Sequence, residues 1–176
     1  MKLKLKATPN DKEYLEIVKP LLAEPSVQKL DNYIQHHFQS RLEHSIAVSY
    51  MSWRIGKRLG LNATAMARGG LLHDMFYYDW RTTKFDEGSH AYVHPRIALE
   101  NAKKITEISP LEEDIIVHHM MGSTLDITRS KEAFIVSMVD KYSAVSEFSR
   151  GKFFSLFKSK EAYSSLPVVM ADLKSA

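Results

Sequence analysis

The 176-residue chain contains no cysteine. That excludes disulfides and thiolate-bound zinc, so any metal must be held by nitrogen and oxygen, which narrows the ligands to His, Asp and Glu. No stretch approaches 18 uninterrupted apolar residues, and the N-terminal MKLKLKATPND alternates Lys with Leu and lacks the apolar run of a signal peptide. A cytoplasmic location with no membrane partner is the expectation. Lys and Arg form no block of like charge and no basic patch interleaved with aromatics, which disfavours a nucleic-acid partner. There is no internal repeat and no low-complexity linker, so a single domain over residues 1–176 is expected at this length. No segment carries a convincing strand pattern.

The composition that remains, 44% hydrophobic and 26% charged, is that of a globular chain and not of a disordered one. The net charge of +3 suits an anionic ligand, though it discriminates weakly. Helix starts are legible as a capping residue followed by a first-turn acid: Asn10 with Glu13, Ser40 with Glu43, Ser109 with Glu112, Ser130 with Glu132. Pro110 strengthens the third, and Gly60 is placed to close the helix begun at Ser40. Ala47, Val48, Met51, Ile55 and Leu59 give residues 41–59 one apolar stripe, on which His44 also lies. Further helices are expected over 62–75, 94–107, 110–121, 131–148 and near the C-terminus, which makes an all-α bundle of about six to eight helices. The stretch 77–93 has no periodicity and reads as a long functional loop.

Eight histidines is generous for this length. The informative ones sit within or at the end of apolar stretches: His44 in RLEHSIAVS, His73 and Asp74 in GLLHDMF, His94 in AYVHPRIALENA, His118 and His119 in DIIVHHMMG, and Asp140 in IVSMVDKYSAV. A carboxylate buried among Val136, Met138, Val139 and Ala144 is costly without a compensating cation or donors, and a metal is an efficient partner. His73 and Asp74 together can present nitrogen and oxygen to one ion, while the second carboxylate oxygen reaches another.

The ordered set His, His-Asp, His, His, Asp on helices resembles the HD-domain metal-dependent phosphohydrolases over roughly residues 36–148. Within that superfamily the chain looks most like one bacterial group, and its third and fourth histidines are similar to those of the symmetrical diadenosine tetraphosphate hydrolases. The resemblance implies that His44, His73, Asp74 and Asp140 hold a first metal. It implies a second held by His94 and by His119 or His118, with Asp74 bridging and central to catalysis. His119 is preferred, since one helical position turns a side chain by about 100 degrees and only one of the pair need point inward. The ions implied are two divalent metals, Fe, Mn, Zn, Co or Ni.

On this reading a metal-activated hydroxide cleaves a phosphate ester or anhydride of a nucleotide or small phosphorylated metabolite, with no protein nucleophile. Arg41, Arg81 and Lys141 are candidates to hold phosphate oxygens. Asp79 and Arg81 stand where many relatives carry a Lys after the His-Asp pair, which bears on substrate class. His90 lies four residues before His94 and is a candidate substrate contact. Phe76, Tyr77, Tyr78 and Trp80 can stack on a base or fill the core. His36 and His37 read as surface residues, the usual fate of a lone histidine. Two other functional classes share the ligand set: a di-iron oxygenase on the same scaffold, and a non-catalytic metal- or nucleotide-binding module. A homo-oligomer is compatible with all three.

Overall fold

The computed structural model describes residues 11–36 and 39–148. The chain runs through α1 (Asp11–Leu22), a one-turn α2 (Pro25–Gln28), a 3-10 turn (Lys29–Asn32), a small hairpin of β1 (Ile34–His36) and β2 (Gln39–Ser40), and then α3 (Arg41–Leu59), α4 (Ala63–Leu72), α5 (His90–Lys103), α6 (Pro110–His118) and α7 (Lys131–Phe148). The architecture is the all-α bundle that the helix signals predict. Asn10, His37 and the expected C-terminal helix lie outside the described residues.

Two helices begin as the sequence dictates. Ser40 and Glu43 form a reciprocal capping box at the head of α3, and Ser109 and Glu112 form another at the head of α6, with Pro110 in its first turn. Gly60, at φ 67°, ends α3 in the left-handed region where glycine carries no Cβ penalty. Ser130 Oγ accepts the amide of Ala133 at 3.1 Å and caps α7.

Other boundaries differ from expectation. α5 starts at His90, a turn before the expected His94, because Ser89 supplies the extended N-cap and its carbonyl takes the amides of Tyr92 and Val93. Pro95 therefore sits in the second turn instead of opening the helix. The loop runs 73–89, not 77–93. α4 and α6 end at Leu72 and His118, short of the expected 75 and 121, so His73 and His119 stand as their C-caps. The β1–β2 hairpin was not expected; it pairs Ile34 with Ser40 and His36 with Gln39, a ladder too short to carry an alternation signal.

α3 is the central element, packed along α4 and against α7. Its closest approach to α4 depends on Gly70, where a Cβ would meet the Cα of Ser49 at 3.0 Å. Ser49 Oγ, which receives the Tyr14 hydroxyl at 3.0 Å, donates to the Ala67 carbonyl at 2.6 Å in the same contact. One apolar cluster gathers Tyr14, Tyr50, Trp53, Leu71 and Leu72 on the α1 side. A second gathers Val48, Met66, Ile115, Val136 and Val139 between α3, α4, α6 and α7. These clusters fix the inner ends of α4, α5 and α6, and so the side chains those ends carry.

Asp114 ties α6 to α7. Its carboxylate is nearly buried and accepts from the Arg129 amide at 3.0 and 3.2 Å, from Ser130 Oγ at 2.5 Å and from His118 Nδ1 at 2.7 Å. Burial alone would raise its pKa, but the hydrogen bonds from Ser130 and Arg129 and the His118 contact outweigh it and hold the group below the usual carboxylate value. A depressed folded-state pKa stabilises above the unfolded value and is lost as pH falls through the folded one. Asp114→Asn is therefore expected to cost about 2 kcal/mol at pH 7, the scale of hydrogen bonds to a charged group. Thermal melts of both proteins from pH 7 to below 4 should show the gap in Tm closing on acidification.

Candidate metal centre

Five elements converge on one cluster of histidines and aspartates, four of which line a pocket. His44 comes from the first turn of α3, His73 and Asp74 from the point where the chain leaves α4, His94 from α5, His119 from the end of α6 and Asp140 from α7. The pocket is open, has a volume of about 250 Å³, and is lined by Asp74, His94, His119 and Asp140 together with Gln35, Trp80, His90 and Lys141. All six expected metal-site residues are drawn in, and only Asp140 exposes more than a few per cent of its side chain, at 13%.

The six separate into two groups about Asp74. On one side His44 Nε2 lies 2.9 Å from Asp140 Oδ1, and His73 Nε2 lies 3.5 Å from the same oxygen and 3.6 Å from Asp74 Oδ2. On the other, His94 Nε2 and His119 Nε2 are 2.8 Å apart, at 3.3 and 3.6 Å from Asp74 Oδ1. Oδ2 of Asp74 thus faces His73, and Oδ1 faces His94 and His119. His44, His73 and Asp140 can present their donor atoms to one ion, as can His73, Asp74 and His119.

The histidine tautomers follow from backbone contacts. Nδ1 of His73 faces the Gly70 carbonyl at 2.7 Å, Nδ1 of His94 the His90 carbonyl at 2.7 Å, and Nδ1 of His119 the Ile116 carbonyl at 2.8 Å. A carbonyl only accepts, so each Nδ1 carries a proton, which leaves each Nε2 as the atom that can offer a lone pair to a metal. His73 Nε2 is buried without a hydrogen-bond partner, and with both Nδ1 atoms protonated the 2.8 Å contact between His94 and His119 needs a further proton on one Nε2 or a cation shared by the two. A cation relieves both conditions, so the donor set fits divalent metal held by nitrogen and oxygen.

The electrostatics point the same way. Burial raises the carboxyl groups of Asp74 and Asp140, yet the surrounding imidazoles outweigh it: His73, then His94 and His119, hold Asp74 well below its ordinary value, and His44 and His73 hold Asp140 down. Burial pushes the His119 imidazole down to about 3, with His94 and His73 adding to the effect, so it stays neutral. Burial lowers His73 too, but Asp74 and Asp140 outweigh it and leave the group raised. The carboxylates draw positive charge to His73 Nε2, and proton and metal compete for that lone pair.

Several expected residues stand elsewhere. His118 points away from the centre and pairs with Asp114, one helical position having turned it out of the pocket. Arg41 is fully buried; its guanidinium donates to Gln35 Oε1 at 2.8 Å and to the carbonyls of Phe76 and Tyr78 at 2.6 and 3.3 Å, so it is committed within the protein and does not line the pocket. Asp79 and Arg81 bind each other at the surface, at 2.8–2.9 Å, and line no part of the pocket. Arg81 holds the exposed Asp79 carboxyl down to about 2.

His90 and Lys141 are in the pocket wall. His90 stacks on His94 with ring centroids 4.3 Å apart, and Trp80 stacks on His90 at 5.8 Å. Burial, helped by His94, pushes His90 down to about 4, so it is uncharged at neutral pH. Lys141 Nζ is held by the His119 carbonyl at 2.9 Å and Ser137 Oγ at 2.8 Å. Of the loop aromatics, Trp80 alone lines the pocket, while Phe76 is buried beneath the Arg41 guanidinium. Gln35, whose amide donates to Asp74 Oδ2, was not read from the sequence, because a lone glutamine on a three-residue strand has no pattern to stand out from.

Comparison with known proteins agrees with this geometry. The relatives found include ribonuclease Y of Dehalococcoides mccartyi, 32% identical over 112 residues, covering 64% of this chain and 19% of the relative. Ribonuclease Y of Mesoplasma florum is 30% identical over 146 residues (76% and 26%), and that of Clostridium tetani 34% over 113 residues (64% and 19%). The chain spans about a fifth to a quarter of these relatives' length. No solved structure gives a significant match. No helix among the described residues is long and apolar enough to cross a membrane. The HD domain family matches residues 41–145, which take in all of the converging histidines and aspartates, and the chain belongs to that family of metal-dependent phosphohydrolases.

Proposed function

We propose that the chain is a binuclear phosphohydrolase that cleaves a phosphate ester or anhydride of a nucleotide. The observation that carries this reading is Asp74, whose Oδ2 faces His73 while its Oδ1 faces His94 and His119. His44, His73, Asp74 and Asp140 would hold one ion; His94, His119 and the other oxygen of Asp74 would hold the second. Divalent ions bound there supply Lewis acidity toward a phosphoryl group and acidify water near neutrality.

The chain's own residues do the rest. The three carbonyl-anchored imidazoles keep their lone pairs aimed without rearrangement, the preorganisation that a site of this type requires. Lys141 spends two of its N–H bonds on His119 and Ser137 and keeps a third for a phosphate oxygen beside Asp140. Neutral His90 and the half-exposed Trp80 form a flat wall suited to a base or ribose and add no charge.

A second reading keeps the reaction and enlarges the substrate. The pocket of about 250 Å³ suits a single nucleotide, whether free or at the end of an RNA strand. The ribonuclease relatives support the second, against the sequence expectation that disfavoured nucleic acid. Phosphate release from mono-, di- and dinucleoside polyphosphates, run beside release of nucleotide from end-labelled RNA, separates the two. Turnover of neither class, after reconstitution with Mn, Fe, Co, Ni or Zn, overturns the proposal, and oxygen consumption by the iron form would redirect it to an oxygenase.

The neighbouring histidines give a paired test. His119→Ala is expected to lose about one equivalent of metal and at least about a hundredfold in kcat. His118→Ala should keep its metal and kcat and lose only stability. Lys141→Ala should retain metal and raise KM about tenfold or more, the equivalent of one charge-assisted hydrogen bond to phosphate, as read from initial rates with metal content in parallel.

A further inference from the structure

Asp74 has to keep Oδ2 turned to His73 and Oδ1 turned to His94 and His119, yet the carboxylate torsion of an aspartate is broad and has no intrinsic reason to stop there. Something must hold it. The Gln35 amide touches the carboxylate, donating through Nε2 to Asp74 Oδ2. Its orientation is fixed chemically: Gln35 Oε1 lies 2.8 Å from Arg41 Nε, and since a guanidinium only donates, the amide oxygen must face Arg41 and the amide N–H must face Asp74.

Arg41 is itself immovable. It is fully buried, its guanidinium lies 3.5 Å over the Phe76 ring, and it donates to the carbonyls of Phe76 and Tyr78 in the segment that follows Asp74. The contacts close a ring from the Asp74 side chain through Gln35 and Arg41 to the Phe76 carbonyl, and back along the chain to Asp74. The same guanidinium thus fixes the backbone beyond Asp74 and, through Gln35, the side chain of Asp74.

We propose that Gln35 is the positioning residue for the bridging carboxylate: it occupies one lone pair of Asp74 Oδ2 and so holds Oδ1 on His94 and His119. The inference rests on the binuclear reading above. A neutral amide suits the task better than the Arg41 guanidinium would, because it restrains the carboxylate without bringing a positive charge against the cations.

The test is Mn²⁺ binding to the full chain, followed by calorimetry and by loss of the free Mn²⁺ paramagnetic resonance signal, with thermal melts as the control for folding. The natural protein should bind two equivalents. Gln35→Leu, which keeps the bulk and removes both hydrogen bonds, should weaken at least one site 10- to 100-fold, the range for loss of a partner of a metal ligand. If that variant fails to fold, Gln35→Asn, one methylene too short to span Arg41 and Asp74, carries the same expectation. A folded variant that binds two Mn²⁺ with natural affinity overturns the role of Gln35 and leaves the binuclear reading intact. A natural protein that binds no Mn²⁺ removes the binuclear reading and the role of Gln35 with it.

Discussion

The site is organised by the charge of two carboxylates, the buried Asp74 and the largely covered Asp140. Asp74 and Asp140 sit where ionised groups are costly, and the protein meets that cost with four imidazoles and, among the described residues, no Lys or Arg salt bridge. Imidazole is the partner that can either carry a proton or give up its lone pair to a metal, so the arrangement is stable as a charge-neutralised cluster and is also a ligand set. A lysine in place of His73 would neutralise the same carboxylates and exclude the cation.

The bundle serves that cluster through its helix ends. His73 and His119 are C-caps, and each anchors its Nδ1 on a carbonyl three residues back, one of the last-turn carbonyls that a helix end leaves without an amide partner. Stopping α4 and α6 at these residues both satisfies the helix termini and aims the rings. Asp114, Ser137 and Lys141 then couple the end of α6 to α7, so the position of His119 and that of Asp140 are set together. The close α3–α4 contact at Gly70 and Ser49 brings the rings of His44 and His73 together.

Much of this was legible because it depends on local chemistry. The Ser40 and Ser109 boxes and Gly60 are short-range signals, and they set the ends of the helices that carry His44 and His119. Two placements had readable signals: Asp114 stands four residues before His118 and so shares its helix face, and Arg41 shares the apolar face of His44 three residues on. The expected start of α5 at residue 94 passed over Ser89, a capping residue type one turn earlier. Gln35 had no signal at all, since its role exists only once the hairpin is folded against Asp74, a contact spanning 39 residues of sequence.

The most direct measurement of the central claim is anomalous diffraction from crystals grown with Mn²⁺. Two manganese peaks about 3.5–4 Å apart, with one oxygen of Asp74 on each and His94 and His119 on the same ion, are the predicted result. A single peak among His44, His73 and Asp140, with His94 and His119 left hydrogen-bonded to each other, would contradict the bridging role of Asp74 and with it the binuclear account.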